Sequence, residues 1–323
     1  MSFILNSNIT IGPYLQVKPH EVSIVKSMFK YVDTAIIKIP ISARIVKSDS
    51  QVTRTVETAN IITEGMAISI ELGYNGELVN EFNGFVSRVN FTTPCEIECE
   101  GYSYILRKKR YSKVFKNTTL KDILNYLIQG TVITLSPLIP DLKVAKWEIK
   151  NKLGTEVLED LKKELTASIF FTDKELYAGL QYLQPKAKVK YRLGYNVIKD
   201  GSLKLRKKNN QELTIIINGH KEDGTKVSAT FGNKGEVKKI NTHAVTDATT
   251  LQMMAEAKHN KASYDGYEGK ITTFLQPYFE PGMYAVIDDP KYFERAGNYI
   301  GTGVHTTYGM TGARRVIDIG VKI

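Results

Sequence analysis

Cysteine is nearly missing from this chain of 323 residues: Cys95 and Cys99, in the run PCEIEC, are all it has. On a strand these two share a face and stand roughly 13 Å apart, at about 3.3 Å per residue. That is too far for a disulfide between them. No second cysteine pair or nearby histidine completes a zinc site. Two small buried thiols in a protein made under reducing conditions are expected. Long apolar runs are also missing, so no transmembrane helix and no membrane insertion by this chain are expected. The opening MSFILNSNITIGPYLQ lacks a basic start, a long apolar core and a small-residue cleavage site. A secretory signal is therefore not expected, and cytoplasmic synthesis is.

Catalytic signatures are equally scarce. There is no G-x-S-x-G and no H-E-x-x-H. The run YDGYEGKI ends in Gly269-Lys270-Ile271, but Tyr264 stands where a phosphate loop needs its first glycine and Ile271 where it needs Ser or Thr. His20, His220, His243, His259 and His305 are scattered singly, without metal-ligand spacing. Asp288-Asp289-Pro290 is the most tempting acidic pair and reads as a turn. No enzyme, cofactor or metal is expected.

Lys and Arg outnumber Asp and Glu by 44 to 34, a net charge of +10. The excess shows in RKKR (Arg107 to Arg110) and SLKLRKKNN (Ser202 to Asn210). Such runs read as solvated strand ends or linkers; contact with nucleic acid or an acidic partner is the other use. No zinc finger, RRM signature or helix-turn-helix pattern accompanies them.

What the chain does have is strand. TAIIKIPISARIVKS, TRTVETANIITEG and AISIELGYNGELVNEFNGFVSRVNF are rich in Ile, Val and Thr, with Asn75-Gly76 as a hairpin turn. CEIECEGYSYIL alternates apolar Cys95, Ile97 and Cys99 with acids. The pattern predicts a small antiparallel barrel or sandwich over 1–106.

Residues 107–184 read as an α/β insertion. NTTLKDILNYLIQG puts Leu120, Ile123, Leu124, Leu127 and Ile128 on one helical face, with Thr119 and Asp122 as a capping pair and Gly130 as its end. A second helix follows on Val157, Leu158, Leu161 and Leu165, and SIFFTD returns as KELYAGL. Residues 185–323 read as strand again, with Asp223-Gly224 as a hairpin turn. One helix at 246–262 interrupts, with Thr246 as N-cap and Leu251, Met254 and Ala255 facing inward. The fold class is mainly β, α+β: two similar antiparallel β-barrel domains separated by the insertion.

A spacing supports the pairing of the two β regions. Gly65-Met66 precedes AISIEL, and Gly84 begins the return strand with Phe85 and Val86 nineteen positions on. Gly282-Met283 precedes YAVIDD, and Gly301 begins the return strand containing Val304, again nineteen positions on. Equal offsets are consistent with equal strand lengths and register.

Four stretches carry a resemblance to a known family: GMAISIELGYNGELVNEFNGFVSRV, NTTLKDILNYL, TEVLEDLKKELTASIFFTDKELYAGL and DATTLQMMAEAKHNKASYDGYEGKITTFLQPYFEPGMYAVIDD. The chain resembles phage late control protein D, the baseplate hub of contractile-tailed phages and prophages, related to the N-terminal hub part of VgrG. The resemblance implies a homotrimer in which each chain supplies two β-barrels, giving a pseudo-sixfold ring. Such a ring joins a hexameric tail tube protein to a trimeric spike in the virion tail baseplate. Here the spike is expected to be a separate protein, and DNA contact in the channel to be unspecific. Ring contacts are expected on Ala67, Ile68, Ile70 and Leu72 and on Tyr284, Val286 and Ile287. The alternative is a basic β-barrel that binds nucleic acid or glycan through Tyr278, Phe279, Tyr284, Tyr292 and Phe293.

Overall fold

The computed structural model describes residues 4–47, 50–165, 167–179, 187–206, 213–220, 225–232, 235–242, 244–245, 247–262, 266–293 and 296–322. Asn75 and Gly76 both have positive φ, +53° and +88°, the geometry of the two-residue hairpin turn that Asn-Gly favours. They join two strands of the first β region. That region runs β1 (Leu5–Ile11), β2 (Glu21–Ser27), β3 (Thr34–Ile39), β4 (Ser42–Lys47), β5 (Ser50–Glu57), α1 (Thr58–Ile61), β6 (Ala67–Tyr74), β7 (Glu77–Asn90), β8 (Cys95–Glu100) and α2 (Ser103–Arg107). Alternation decides the inner face: Cys95, Ile97 and Cys99 of β8 are buried with Ile9, Ile24, Ile37, Ile70 and Leu72. Both cysteines are free thiols.

The middle of the chain runs β9 (Arg110–Thr119), α3 (Leu120–Ile128), β10 (Thr134–Leu135), β11 (Lys143–Leu153), α4 (Gly154–Glu164), β12 (Ser168–Thr172) and β13 (Glu175–Gly179). The Thr119 hydroxyl accepts from the Asp122 amide at 3.1 Å, and the Asp122 carboxylate accepts from the Thr119 amide at 3.1 Å, the reciprocal box expected from sequence. Leu120, Ile123, Leu124 and Leu127 of α3 are buried, as are Val157, Leu158, Leu161 and Leu165 in and after α4. Strands β12 and β13 form the expected antiparallel pair, Ser168 opposite Gly179.

The remainder runs β14 (Lys188–Arg192), β15 (Val197–Lys199), β16 (Lys204–Arg206), β17 (Leu213–His220), β18 (Lys226–Phe231), β19 (Glu236–Asn241), α5 (Ala248–Ala262), β20 (Gly266–Thr273), β21 (Tyr284–Asp288), β22 (Gly297–Gly309) and β23 (Gly312–Lys322). More than a helix interrupts here. β17, β18 and β19 form their own sheet in the order β18-β17-β19. Ile215 and Ile217 of that sheet, with Leu251, Met254 and Ala255 of α5, join the core of the middle segment. A single amphipathic strand does not declare which sheet it will join, so periodicity showed the strands but not their destination. Thr246 and Asp223-Gly224 lie outside the described residues. Asp247 makes the cap of α5, accepting from the Thr250 amide at 2.9 Å.

Thirteen strands drawn from both β regions belong to one sheet. In the first region the order is β1-β6-β7-β8-β3-β2; in the second it is β14-β21-β22-β23-β20-β15, with β16 continuing β15 along β20. Matched in chain order, the six strands of each unit sit in the same places. Four of the five neighbouring pairs are antiparallel in both; β1 runs antiparallel to β6, whereas β14 runs parallel to β21. The β4–β5 hairpin is extra in the first unit, and the β17–β19 sheet with α5 is extra in the second. Among the described residues the strand order closes into no barrel. No described helix is long and apolar enough to cross a membrane.

Candidate functional site

Two turns of the same build stand where β6 and β21 begin. In each, a methionine amide donates to the carbonyl three residues back: Met66 to Thr63 at 3.3 Å, Met283 to Glu280 at 3.2 Å. In each, the glycine between them has φ near +90°, +89° at Gly65 and +91° at Gly282. That is the third position of a type II turn, which favours glycine. Each turn then makes the same reciprocal pair of bonds with the return strand. The Gly65 amide donates to Val86 and the Val86 amide to Met66, both at 2.8 Å. The Gly282 amide donates to Gly301 and the Gly301 amide to Met283, both at 2.9 Å.

The residue facing the turn is thus Val86 in the first copy and Gly301 in the second. Gly84, matched to Gly301 by spacing, lies two residues earlier, opposite Ile68. A register shift between Ile70 and Glu71 puts an extra residue into β7. Gly84 has its own reason to be glycine: a Cβ there would lie 2.2 Å from the Glu100 carbonyl oxygen. At Gly301 a Cβ would lie 2.2 Å from the Phe279 ring. Phe85 stacks on Tyr104 with ring centres 5.3 Å apart, and Val304 is buried opposite Ile317.

Several contacts join the two units, a strand pairing and a buried ion pair among them. β2 pairs antiparallel with β22, from Glu21 opposite Gly309 to Ser27 opposite Gly303. Beside this join, the Arg315 guanidinium of β23 is fully buried against the Glu81 carboxylate of β7. Arg315 also donates to the carbonyls of Leu275 and, at 3.0 Å, Pro277, and its guanidinium lies 5.1 Å from the centre of the Tyr278 ring. The Thr306 hydroxyl reaches Glu81 at 3.5 Å. Burial pushes the Tyr278 hydroxyl above its ordinary titration range. Nothing in the local sequence around Glu81 or Arg315 marks them as partners, because they lie more than two hundred residues apart.

The strands expected to touch a neighbouring copy are interior ones. β6 is paired by β1 and β7, and β21 by β14 and β22. Ile68, Ile70, Leu72, Tyr284 and Ile287 are buried in the chain's own cores, leaving Ala67 exposed and Val286 half-buried. Neither strand offers an open edge.

Other sequence features are also absorbed by the fold. Asp289 is buried; it accepts from the amides of Lys291 and Tyr292 at 2.9 and 3.1 Å and from the Tyr267 hydroxyl, as a turn residue does. The RKKR run is held in place: Arg107 pairs with Glu100, Lys108 with Glu64, and Arg110 donates to the Asn151 carbonyl. Lys109 lies over the Tyr111 ring. In SLKLRKKNN, residues 207–210 lie outside the described residues. Of the five aromatics, Phe279 and Tyr284 are buried, and Tyr278 lies against Arg315. Tyr292 and Phe293 are exposed, too few for a stacking platform. Among the described residues no group of three or more His, Cys, Asp or Glu could hold a metal ion.

No family model and no curated protein matches the sequence. Solved structures match it over its whole length. The 43 kDa tail protein of prophage MuSo2 from Shewanella oneidensis is 13% identical, with a TM-score of 0.65 and 98% of each chain covered. The tail protein from Neisseria meningitidis MC58 is 11% identical, with a TM-score of 0.67, covering 98% of this chain and 96% of that one. The chain has a phage-tail fold. The E. coli c3393 protein, a component of the type VI secretion system, is similar as well: 10% identical, TM-score 0.57, with 98% of this chain and 76% of that one covered. This fold group is the one the sequence resemblance pointed to.

Proposed function

We propose that this chain is a structural baseplate hub of a contractile phage tail, a prophage or a related injection system. It would act by assembly rather than catalysis, in the tail baseplate. The observation that carries the reading is the repeated strand order, each copy opened by the same Gly-Met turn, within a chain that aligns end to end with tail proteins.

In this reading each six-strand unit is one barrel-type module. Three chains give six modules in a ring of threefold symmetry, a shape that can meet a sixfold tail tube on one face and a threefold spike on the other. DNA touches the channel without sequence preference. A closed ring of this kind requires two different, complementary side surfaces on each chain.

The test is native mass by light scattering together with end-on views by negative-stain electron microscopy. Trimers with a central hole and six peripheral densities are expected, alone or with a spike-type partner. A monomeric mass under both conditions would sink the reading.

A further inference from the structure

Within the chain the two units meet unsymmetrically: an edge of one lies on a shoulder of the other. The edge is β2, the last strand of the first unit. The shoulder is Gly303–Gly309 of β22, the part of that strand beyond the Gly282–Gly301 turn contact. In the second unit the counterpart of β2 is β15 with β16, both antiparallel to β20 as β2 is to β3. In the first unit the counterpart of β22 is β7. Its pairing with β6 ends at Phe85, and the bonds of the Gly65 turn end at Val86. Beyond that point β7 pairs with β8 on its other side only.

Each chain therefore makes one such join and leaves the two halves of a second one open. Among the described residues no strand covers the outer side of β15–β16 or the β6 side of residues 87–90. Open strand edges are normally covered, because they invite pairing. Both surfaces carry exposed apolar side chains: Ile198 and Leu205, 36% and 39% exposed, on one, and Phe91, 77% exposed, at the end of the other. Within the chain they do not meet: β15 and β16 pair with β20, and residues 88–90 pair with β8. They can meet head to tail between copies, the heterologous class of contact.

We propose that β15–β16 of one copy docks on residues 87–90 of β7 in the next copy, repeating between chains the β2–β22 join made within each chain. The occupant of each open surface is thus a second copy of this chain. That the series closes at three copies rests on the hub reading above; the strand contact itself follows from the strand order.

Paired cysteines in the full-length chain test it. Arg88→Cys with Leu205→Cys, and Phe91→Cys with Leu205→Cys, sample two registers three residues apart, and the native thiols are buried. Mild oxidation is expected to give dimer and trimer bands on a non-reducing gel from at least one pair. A control pair, Ile4→Cys with Lys190→Cys at the opposite ends of the two units, is expected to stay monomeric on the gel. A trimer by light scattering that gives no bands from either test pair, or bands from the control instead, overturns the contact and leaves the hub reading standing. A monomeric mass throughout overturns both.

Discussion

Arg315 and Glu81 form an ion pair with both side chains out of solvent, 0% and 3% exposed, and they tie the last strand of the chain to β7 of the first unit. Desolvating two charges is costly, and such a pair adds little net stability over apolar residues of the same shape. Losing one partner is different, because it strands the other charge in the core.

Arg315→Met or Glu81→Leu alone is therefore expected to cost about 3–5 kcal/mol. The double variant Glu81→Leu with Arg315→Met is expected to recover much of that loss. Urea unfolding of the four proteins gives the coupling energy. Simple addition of the two single effects would show that the pair does not act as a unit.

Asp33 gives a pH dependence. It is buried, and its Oδ1 has no hydrogen-bond partner in the chain. Burial pushes its carboxyl up to about 7, with Glu280 adding to the rise and Lys26 and a backbone hydrogen bond from Ser27 opposing it. The folded value thus lies above the unfolded one, about 3.9. Between these values the folded chain keeps a proton that the unfolded chain releases. Stability is full below the unfolded value, falls as pH rises toward 7, and is level above it. Asp33→Asn removes this loss. Its gain over the wild type is expected to grow from near zero at pH 4 to an upper bound of roughly 4 kcal/mol at pH 8. A gain that does not change between those pH values in urea titrations would exclude burial of the carboxylate as the cause.

The two Gly-Met turns predict matched costs. A Cβ at Gly65 or Gly282 would meet nothing closer than 3.5 or 3.8 Å, so alanine there pays only for its positive φ. Each substitution is expected to lower stability by about 1–2 kcal/mol. Gly84→Ala is expected to cost more than either, because its Cβ would overlap the Glu100 carbonyl. Thermal unfolding of the three variants ranks them; a milder Gly84→Ala than Gly65→Ala would contradict the strand spacing described above.

Both cysteines are predicted to be silent in the folded protein. Burial pushes the Cys95 and Cys99 thiols above their ordinary range, holding them as unreactive neutral thiols. A thiol reagent added at pH 8 is expected to label neither until denaturant is present. Rapid labelling of the native chain would show that β8 opens far more readily than its burial implies.

The sequence by itself determined the local structure. Asn75-Gly76 set a hairpin, Thr119 and Asp122 set the start of α3, and the alternation of β8 set which of its residues face inward. Each of these depends on residues within a few positions of one another, where turn geometry, capping and side-chain period act directly. The Gly-Met pairs were visible too, but counting along the chain matched Gly84 with Gly301: the first hairpin is two residues longer between its turn bonds, and neither the one-residue bulge in β7 nor the differing connection lengths are marked in composition. Only the tertiary structure decided which strands share a sheet, that β17–β19 leave it, that β6 and β21 lie inside it, and that Arg315 meets Glu81. Those choices depend on contacts between distant segments, and each strand's own pattern satisfies many partners equally well until packing selects one.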